Sequence, residues 1–136
     1  MIEMELNKII IDEKRQEQII VLKEKHGERV LPIVIGVLEA SAIKMRVSGV
    51  ATPRPMTHDL MASVIQALGA RLARVMIDKL EDNTFYAKLV LATADATEAV
   101  VDARPSDSVA LAVRLKSPIF VDEEVIKKSD VSHQGI

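Results

Sequence analysis

The chain has 136 residues, of which 49% are hydrophobic, and this is enough for one compact domain with a substantial core. It contains no cysteine, which excludes disulfide bonds and thiolate metal sites. A net charge of −2 and 2% aromatic residues argue against a protein that coats nucleic acid through phosphate contacts or base stacking. The apolar runs are shorter than a membrane span and the N-terminal segment is acidic, so we expect a soluble, cytoplasmic protein.

Three strands are predicted in the first 36 residues. The segments "MELNKIIIDE" and "EQIIVLKEK" are short, rich in Ile and Val, and joined by polar residues. This pattern predicts an antiparallel pair. The next segment, "RVLPIVIG", predicts a third strand that is buried and ends at Gly36.

Two helices follow, separated by the proline-containing loop "VATPRP". Apolar residues recur at helical spacing over 37–49, and Gly49 provides a stop. A second, amphipathic helix is predicted from Thr57, with Gly69 at its end. Its apolar stripe consists of Leu60, Met61, Val64, Ile65 and Leu68.

The next part of the chain predicts three strands, near residues 71–81, 84–92 and 97–103. Asp82-Asn83 indicates a tight hairpin turn between the first two, and residues 94–96 indicate a second turn. The alternation of side chains in the middle strand is typical of a sheet with one better-buried face.

The last elements are a helix over 106–116, a short strand in "SPIFVD" and a final helical turn in "EEVIKK". The helix is apolar almost all round, which predicts a position deep in the domain. We therefore predict a single compact α+β domain over residues 1–128 and a flexible tail over 129–136. Its sheet is antiparallel or mixed, with six to seven strands, and it carries two or three principal helices.

An Arg-Pro pair precedes two of the predicted helices, as Arg54-Pro55 and Arg104-Pro105. In one interpretation Thr57 and Ser106 cap these helices, and the arginines pair with nearby carboxylates such as Asp102. In the other, each guanidinium and the adjacent helix N-terminus hold an anion, and both arginines face one pocket. The physical argument alone favours structural pairing over phosphate binding. Helix capping, however, does not explain why an arginine precedes both helices.

Four blocks in order, "LPIVIGVLEASAI", "RPMTHDL" with a helix ending in "LGA", "VDARPSDSVALAVR" and "PIFVDEEV", resemble the bifunctional nuclease domain family. The resemblance covers about residues 5–126. It implies hydrolysis of phosphodiester bonds in DNA and RNA without marked sequence preference, and bound Mg²⁺ or Mn²⁺ would suit this chemistry.

Candidate site residues lie within the matching blocks. A nuclease needs a base or metal to activate water and cations to stabilise charge on the phosphoryl oxygens. The predicted roles are catalysis by His58 and Asp59, phosphate binding by Arg54 and Arg104, and metal binding by Glu39, Asp102 and Asp107.

A non-catalytic alternative stays open at this point. No spacing in the chain reproduces a recognised nuclease signature, so the same residues also fit an oligomeric module that binds a small anion or a protein partner. A homo-oligomer, a dimer or larger, is expected in either case because a small chain with so many strands and apolar residues exposes surface suited to association.

Overall fold

The computed structural model describes residues 1–12 and 14–134, with side chains up to residue 130. The strands in this part of the chain are β1 (Ile2–Asp12), β2 (Glu17–Glu24), β3 (Val30–Ile35), β4 (Arg71–Glu81), β5 (Thr84–Ala92), β6 (Glu98–Ala103) and β7 (Ile119–Val121). The helices are α1 (Val37–Val47), α2 (Thr57–Ala67), α3 (Pro105–Leu115) and α4 (Glu123–Gln134).

The strands form one mixed sheet in the order β3-β2-β1-β7-β4-β5-β6. Neighbouring strands are antiparallel except β4 and β7, which run parallel and pair Val75 with Ile119. The short strand β7 therefore joins the N-terminal meander β1–β3 to the meander β4–β6. This confirms the predicted single α+β domain with a mixed sheet.

The hairpin between β4 and β5 confirms the turn predicted at Asp82-Asn83. Both residues have positive φ, at 52° and 60°, as a tight two-residue hairpin turn requires. The two strands have the predicted bounds, and β6 begins one residue later than predicted. The second predicted turn is also present, with Ala96 at a φ of 67°.

Strand β3 is an edge strand, and the prediction that it is buried is confirmed for one of its faces only. It pairs only with β2 within the described sheet, and Pro32, which has no N–H to donate, sits opposite Val21. Leu31 and Ile33 point into the core while Val34 is exposed. The apolar residues of this run therefore alternate between a buried face and an exposed face of the strand.

Helix α3 lies at the centre of the core, as its apolar sequence predicts. It contacts α1, α2, β4 and β5, and Val109 and Leu111 are fully buried. Helices α1 and α2 both pack on α3, and side-chain contacts join the first turns of α1 and α2 to the start of α3. None of the described helices has the length and hydropathy needed to cross a membrane.

Helix α2 has the predicted position but not the expected burial. An apolar stripe normally faces the core of a domain. In this helix the residue that is fully buried is Ala62, whereas Leu60, Val64 and Leu68 lie at the surface. Met61 and Ile65, which also belong to the predicted stripe, are half-buried, and Met61 packs against the core. The stripe therefore identified the inner face of the helix only in part.

Helix α4 is longer than the single turn predicted for it. It extends through Gln134, into the segment predicted to be a flexible tail, and Ser129 at the start of that segment is buried. Val125 and Ile126 anchor the helix in the core. The last two residues of the predicted tail, 135–136, lie outside the described residues.

Candidate functional site

Helix α3 begins at Pro105, and Arg104 occupies the capping position before it. Proline suits the first helical position because its fixed φ fits a helix and no N–H is lost there. Ser106 is buried inside the first turn and makes no capping hydrogen bond, so its predicted capping role is wrong. The helix start instead fixes the backbone of Arg104, from which the guanidinium extends.

Helix α2 is capped by a carboxylate rather than by the predicted Thr57. Met56 occupies the capping position, and its N–H donates a hydrogen bond of 3.0 Å to Oδ2 of Asp59. This hydrogen bond is the main cause of a lowered pKa at Asp59, and the Arg114 guanidinium lowers it further. Asp59 therefore stays ionised and fixes the start of the helix.

A chain of polar contacts joins the starts of α1, α2 and α3. His58 Nε2 lies 3.0 Å from Asp107 Oδ1, Arg104 Nε donates to Asp107 Oδ2 at 3.0 Å, and Arg104 Nη1 lies 3.0 Å from Glu39 Oε1. We call Glu39, His58, Arg104 and Asp107 the helix-start network. All four were predicted as site residues, so the structure brings four of the seven candidates into one cluster.

Burial differs along the helix-start network. The side chain of His58 is 13% exposed, whereas that of Arg104 is 64% exposed. Burial raises the pKa of Asp107, but hydrogen bonds from His58 and Arg104 outweigh it and leave the pKa lowered. The pKa of Arg104 is raised, chiefly by its bond to Asp107. The network thus presents an ionised carboxylate behind the histidine and a charged guanidinium towards solvent.

A cavity of about 410 Å³ adjoins His58 between α1, α2 and α3. Its wall includes Arg54 from the loop before α2, as well as Asp59 and Arg114, whose Nε donates a hydrogen bond of 2.8 Å to Asp59 Oδ1. Arg46 of α1 also lines it. The cavity therefore gathers three arginines around one carboxylate, which is an arrangement suited to an anion.

Two of these arginines were not among the predicted site residues. Arg46 lies in the last turn of α1, and Arg114 is the one basic residue of α3. A charged residue on a deeply buried helix must reach a polar partner or solvent, and this was the available signal for Arg114. Arg46 carries no comparable signal in the sequence.

Arg54 and Arg104 do not share one pocket, contrary to expectation. Arg104 lines a different, open depression of about 400 Å³, together with Asp102 and Asp107. The two cavities are linked through the hydrogen bond between His58, on the wall of the first, and Asp107, on the wall of the second. The His58–Asp107 hydrogen bond is therefore the connection between the two cavities.

The predicted metal ligands do not form a metal site in the arrangement described. Glu39 and Asp107 are both held by Arg104, and the Asp102 side chain is largely exposed, 3.7 Å from Lys88. Among residues 1–12 and 14–130 no group of three or more His, Asp or Glu side chains is placed to hold an ion. These donors do not fit a Mg²⁺ or Mn²⁺ site, so no chemical step is derived through one.

Gly36 adjoins the helix-start network. It is the capping residue of α1 and has an ordinary φ of −75°, so its backbone conformation does not require glycine. A Cβ at this position would collide with Oε2 of Glu39. The glycine therefore provides the space in which the Glu39 carboxylate turns towards Arg104.

A sequence model described as the bifunctional nuclease domain matches residues 20–134, which include the whole helix-start network. The chain belongs to this family. The match confirms the family resemblance seen in the sequence blocks, and it extends beyond residue 126, where those blocks end, through the whole of α4.

Relatives of this bifunctional nuclease domain occur in bacteria and plants. An uncharacterised protein of Mycobacterium tuberculosis (strain ATCC 25618 / H37Rv) is 43% identical over 121 residues, covering 89% of this chain and 71% of that protein. Bifunctional nuclease 2 of Oryza sativa subsp. japonica is 32% identical, covering 82% of this chain and 35% of its own length. Bifunctional nuclease 1 of Arabidopsis thaliana is 30% identical, covering 76% and 33%. The domain thus corresponds to about a third of each plant protein.

Proposed function

We propose that this domain hydrolyses phosphodiester bonds of DNA and RNA at the cavity beside His58. The observation that carries the proposal is the His58–Asp107 pair, with Arg54 and Arg114 on one side and Arg104 on the other. Membership of the family and the names of the plant relatives support a nuclease-like role.

In the proposed reaction His58 is the general base. Asp107 binds Nε2 and orients the ring, so that Nδ1 is the nitrogen that exchanges protons. Water attacks the phosphorus as Nδ1 takes its proton, and the P–O bond to the leaving oxygen breaks. The leaving oxygen takes a proton from solvent, and the imidazolium then releases its proton to solvent, which regenerates the base. A positioned base of this kind contributes roughly 10²–10⁴-fold to the rate.

The arginines bind and stabilise the phosphate in this reaction. Charge develops on the non-bridging oxygens as water attacks, and guanidinium groups already in place stabilise that charge without reorganising. Arg54 is exposed on the cavity wall, and Arg114 has one nitrogen bound to Asp59, which leaves its other N–H groups for a ligand. The proposed site contacts phosphate through a small number of arginines. A protein with so few phosphate contacts does not need an overall positive charge, so the net charge of −2 is compatible with the proposal.

The test compares His58→Asn with His26→Asn, a matched change at an exposed histidine in the β2–β3 turn. Initial rates are measured on fluorescent single- and double-stranded DNA and RNA. We expect His58→Asn to lose about 100-fold or more, in line with the loss of a general base, and His26→Asn to retain full activity. Equal activity in both variants would contradict the assignment of His58 as the general base.

Parallel arms with EDTA, Mg²⁺ and Mn²⁺ test whether the reaction depends on a metal. The mechanism derived from the residues alone expects His58-dependent activity to persist in EDTA. Loss of this activity in EDTA, with recovery on adding Mg²⁺ or Mn²⁺, would restore the metal-assisted mechanism that the family resemblance implies.

One observation favours the alternative of a non-catalytic module that binds a small anion. Arg104 and Arg114 already carry carboxylate partners, as in an architectural ion-pair network. Binding of inorganic phosphate that is weakened by Arg54→Gln, with no turnover of any nucleic acid in any metal condition, would support this alternative against the nuclease.

A further inference from the structure

The outer face of α2 is an exposed apolar stripe. Leu60, Val64 and Leu68 are 58%, 49% and 76% exposed, and their spacing of four places them on one side of the helix. Met56, which precedes the helix at the same spacing, is also about half exposed. Large apolar side chains that are aligned in this way form a continuous patch rather than scattered surface residues.

This face also carries no charge. Residues 48–68 contain three charged or titratable side chains, Arg54, His58 and Asp59, and the last two turn inward to Asp107 and Arg114 of α3. A surface helix of a monomer normally places charged and polar residues opposite its buried side. The outer face of α2 therefore has the composition of an interface core, from which charged residues are depleted.

The composition of the face distinguishes between the possible partners. Nucleic acid binds through Lys and Arg on its phosphates, and a helix lying on a membrane carries basic residues along its polar face. The helical residues 57–67 contain neither Lys nor Arg. A second copy of the same face suits it, because a twofold interface brings each patch against itself and an uncharged patch does so without like-charge repulsion.

The 48–68 segment supplies a large part of a dimer interface. A stable interface involves about 20–30 residues per partner. Of the 21 residues 48–68, 15 are exposed, including Val50, and they make up half or more of that number. Ser63 and Ala67, both small and exposed, lie beside the stripe and allow a second helix to approach closely.

We propose that the chain forms a twofold dimer through the uncharged outer face of α2, with α2 of the two subunits antiparallel and crossing near Val64. Arg54, in the loop before the helix, stays on the wall of the cavity beside His58. Met56 and Ser63 belong both to this surface and to the lining of the cavity beside His58. The second subunit therefore forms part of the wall of that cavity, which narrows the entrance to the arginines. This proposal does not depend on the nuclease activity.

The absence of cysteine makes a direct test simple, because a single introduced cysteine has no competing thiol. Val64→Cys lies near the proposed twofold axis and is expected to form a disulfide-linked dimer under mild oxidation. Val100→Cys is the matched control, a similarly exposed valine on β6. An equal mixture of Leu60→Cys and Leu68→Cys is expected to cross-link between the two variants, because antiparallel helices place these positions opposite each other.

Sedimentation velocity provides the second test. We expect the unmodified chain to sediment as a dimer, Leu60→Glu as a monomer with an unchanged circular dichroism spectrum, and Val100→Glu as a dimer. A monomeric wild-type chain would overturn the proposal. So would a dimer that persists in Leu60→Glu, or cross-linking of Val100→Cys as efficient as that of Val64→Cys.

Discussion

Arg29 and Arg104 each bridge two carboxylates, but they use their nitrogens differently. Arg29 donates from Nε to Glu24 at 2.6 Å and from both terminal nitrogens to Glu123, at 2.6 and 2.9 Å. Arg104 uses Nε for Asp107 and Nη1 for Glu39, and within the described side chains Nη2 has no partner. The same pair of interactions therefore leaves one guanidinium fully engaged and the other able to bind a further anion.

The surroundings of the two arginines also differ, and only those of Arg104 suit a binding site. Arg29 joins the β2–β3 turn to the start of α4, and among the described side chains its carboxylate partners contact no histidine. Arg104 shares Asp107 with His58, next to a cavity that contains further arginines. An arginine that bridges two acids is thus not in itself evidence for a site. The unused donor, the neighbouring histidine and the cavity distinguish the two networks.

The largest expected difference is in activity. Arg104→Gln removes the guanidinium beside the proposed base, and we expect roughly a 100-fold loss in kcat, similar to the loss of one charge-stabilising donor. Arg29→Gln removes an equally well-paired arginine and is expected to leave kcat unchanged. Initial rates on one fluorescent oligonucleotide measure both variants, and a comparable loss in both would remove the distinction between the two networks.

The second expected difference is in thermal stability, where Arg29→Gln should have the larger effect. Arg29→Gln breaks three short hydrogen bonds that join β2, the β2–β3 turn and α4, and leaves Glu24 and Glu123 unpaired. We expect its thermal unfolding midpoint to fall further than that of Arg104→Gln, whose guanidinium is more exposed. Differential scanning calorimetry measures both midpoints, and the reverse order would contradict this assignment.

A third comparison uses acid. The pKa of Asp107 is lowered from 3.8 and that of Glu123 from 4.5, so each carboxylate contributes stability above its ordinary pKa and loses it as pH falls through the lowered value. We expect the free energy of unfolding to fall below about pH 4.5. Asp107→Asn should remove the part of this loss below pH 3.8, and Glu123→Gln the part that begins higher. Urea unfolding between pH 3 and 6 measures both, and identical profiles would contradict the expectation.

The smallest effect is expected at Asp102. Its side chain is 80% exposed and its described ion pair is with Lys88, outside the helix-start network. We expect Asp102→Asn to change both kcat and the unfolding midpoint very little, in assays with and without Mg²⁺. A large, Mg²⁺-dependent loss of activity would instead assign to Asp102 the metal-binding role that the family resemblance implies.

Elements fixed by local interactions could be predicted from the sequence. The β4–β5 hairpin has the predicted bounds because Asp82 and Asn83 tolerate the positive φ of its turn and the flanking residues alternate in polarity. Helix α3 was placed within one residue, and its deep burial follows from its apolar composition. The capping roles of Thr57 and Ser106 were wrong because other residues, Asp59 and Pro105, fixed the two helix starts.

Features fixed by packing could not be predicted. The sequence indicated both His58 and Asp107, but their hydrogen bond joins residues 49 positions apart and depends on the packing of α2 against α3. Arg114 pairs with Asp59 across 55 positions for the same reason. The exposure of the α2 stripe depends on which side of that helix contacts α3, and a stripe suited to the core of a monomer is equally suited to an interface.

The residue at position 36 affects how strongly Arg104 pairs with Glu39, although Gly36 is not itself part of the helix-start network. Alanine is compatible with its φ of −75°, but the added methyl group would displace the Glu39 carboxylate. Arg104 would then keep Asp107 as its acidic neighbour, and Nη1 would join Nη2 as a nitrogen available to an anion. One methyl group just before α1 would in this way weaken the pairing of Arg104 with Glu39 and increase the attraction of the guanidinium for phosphate, without changing the number of charged residues in the network.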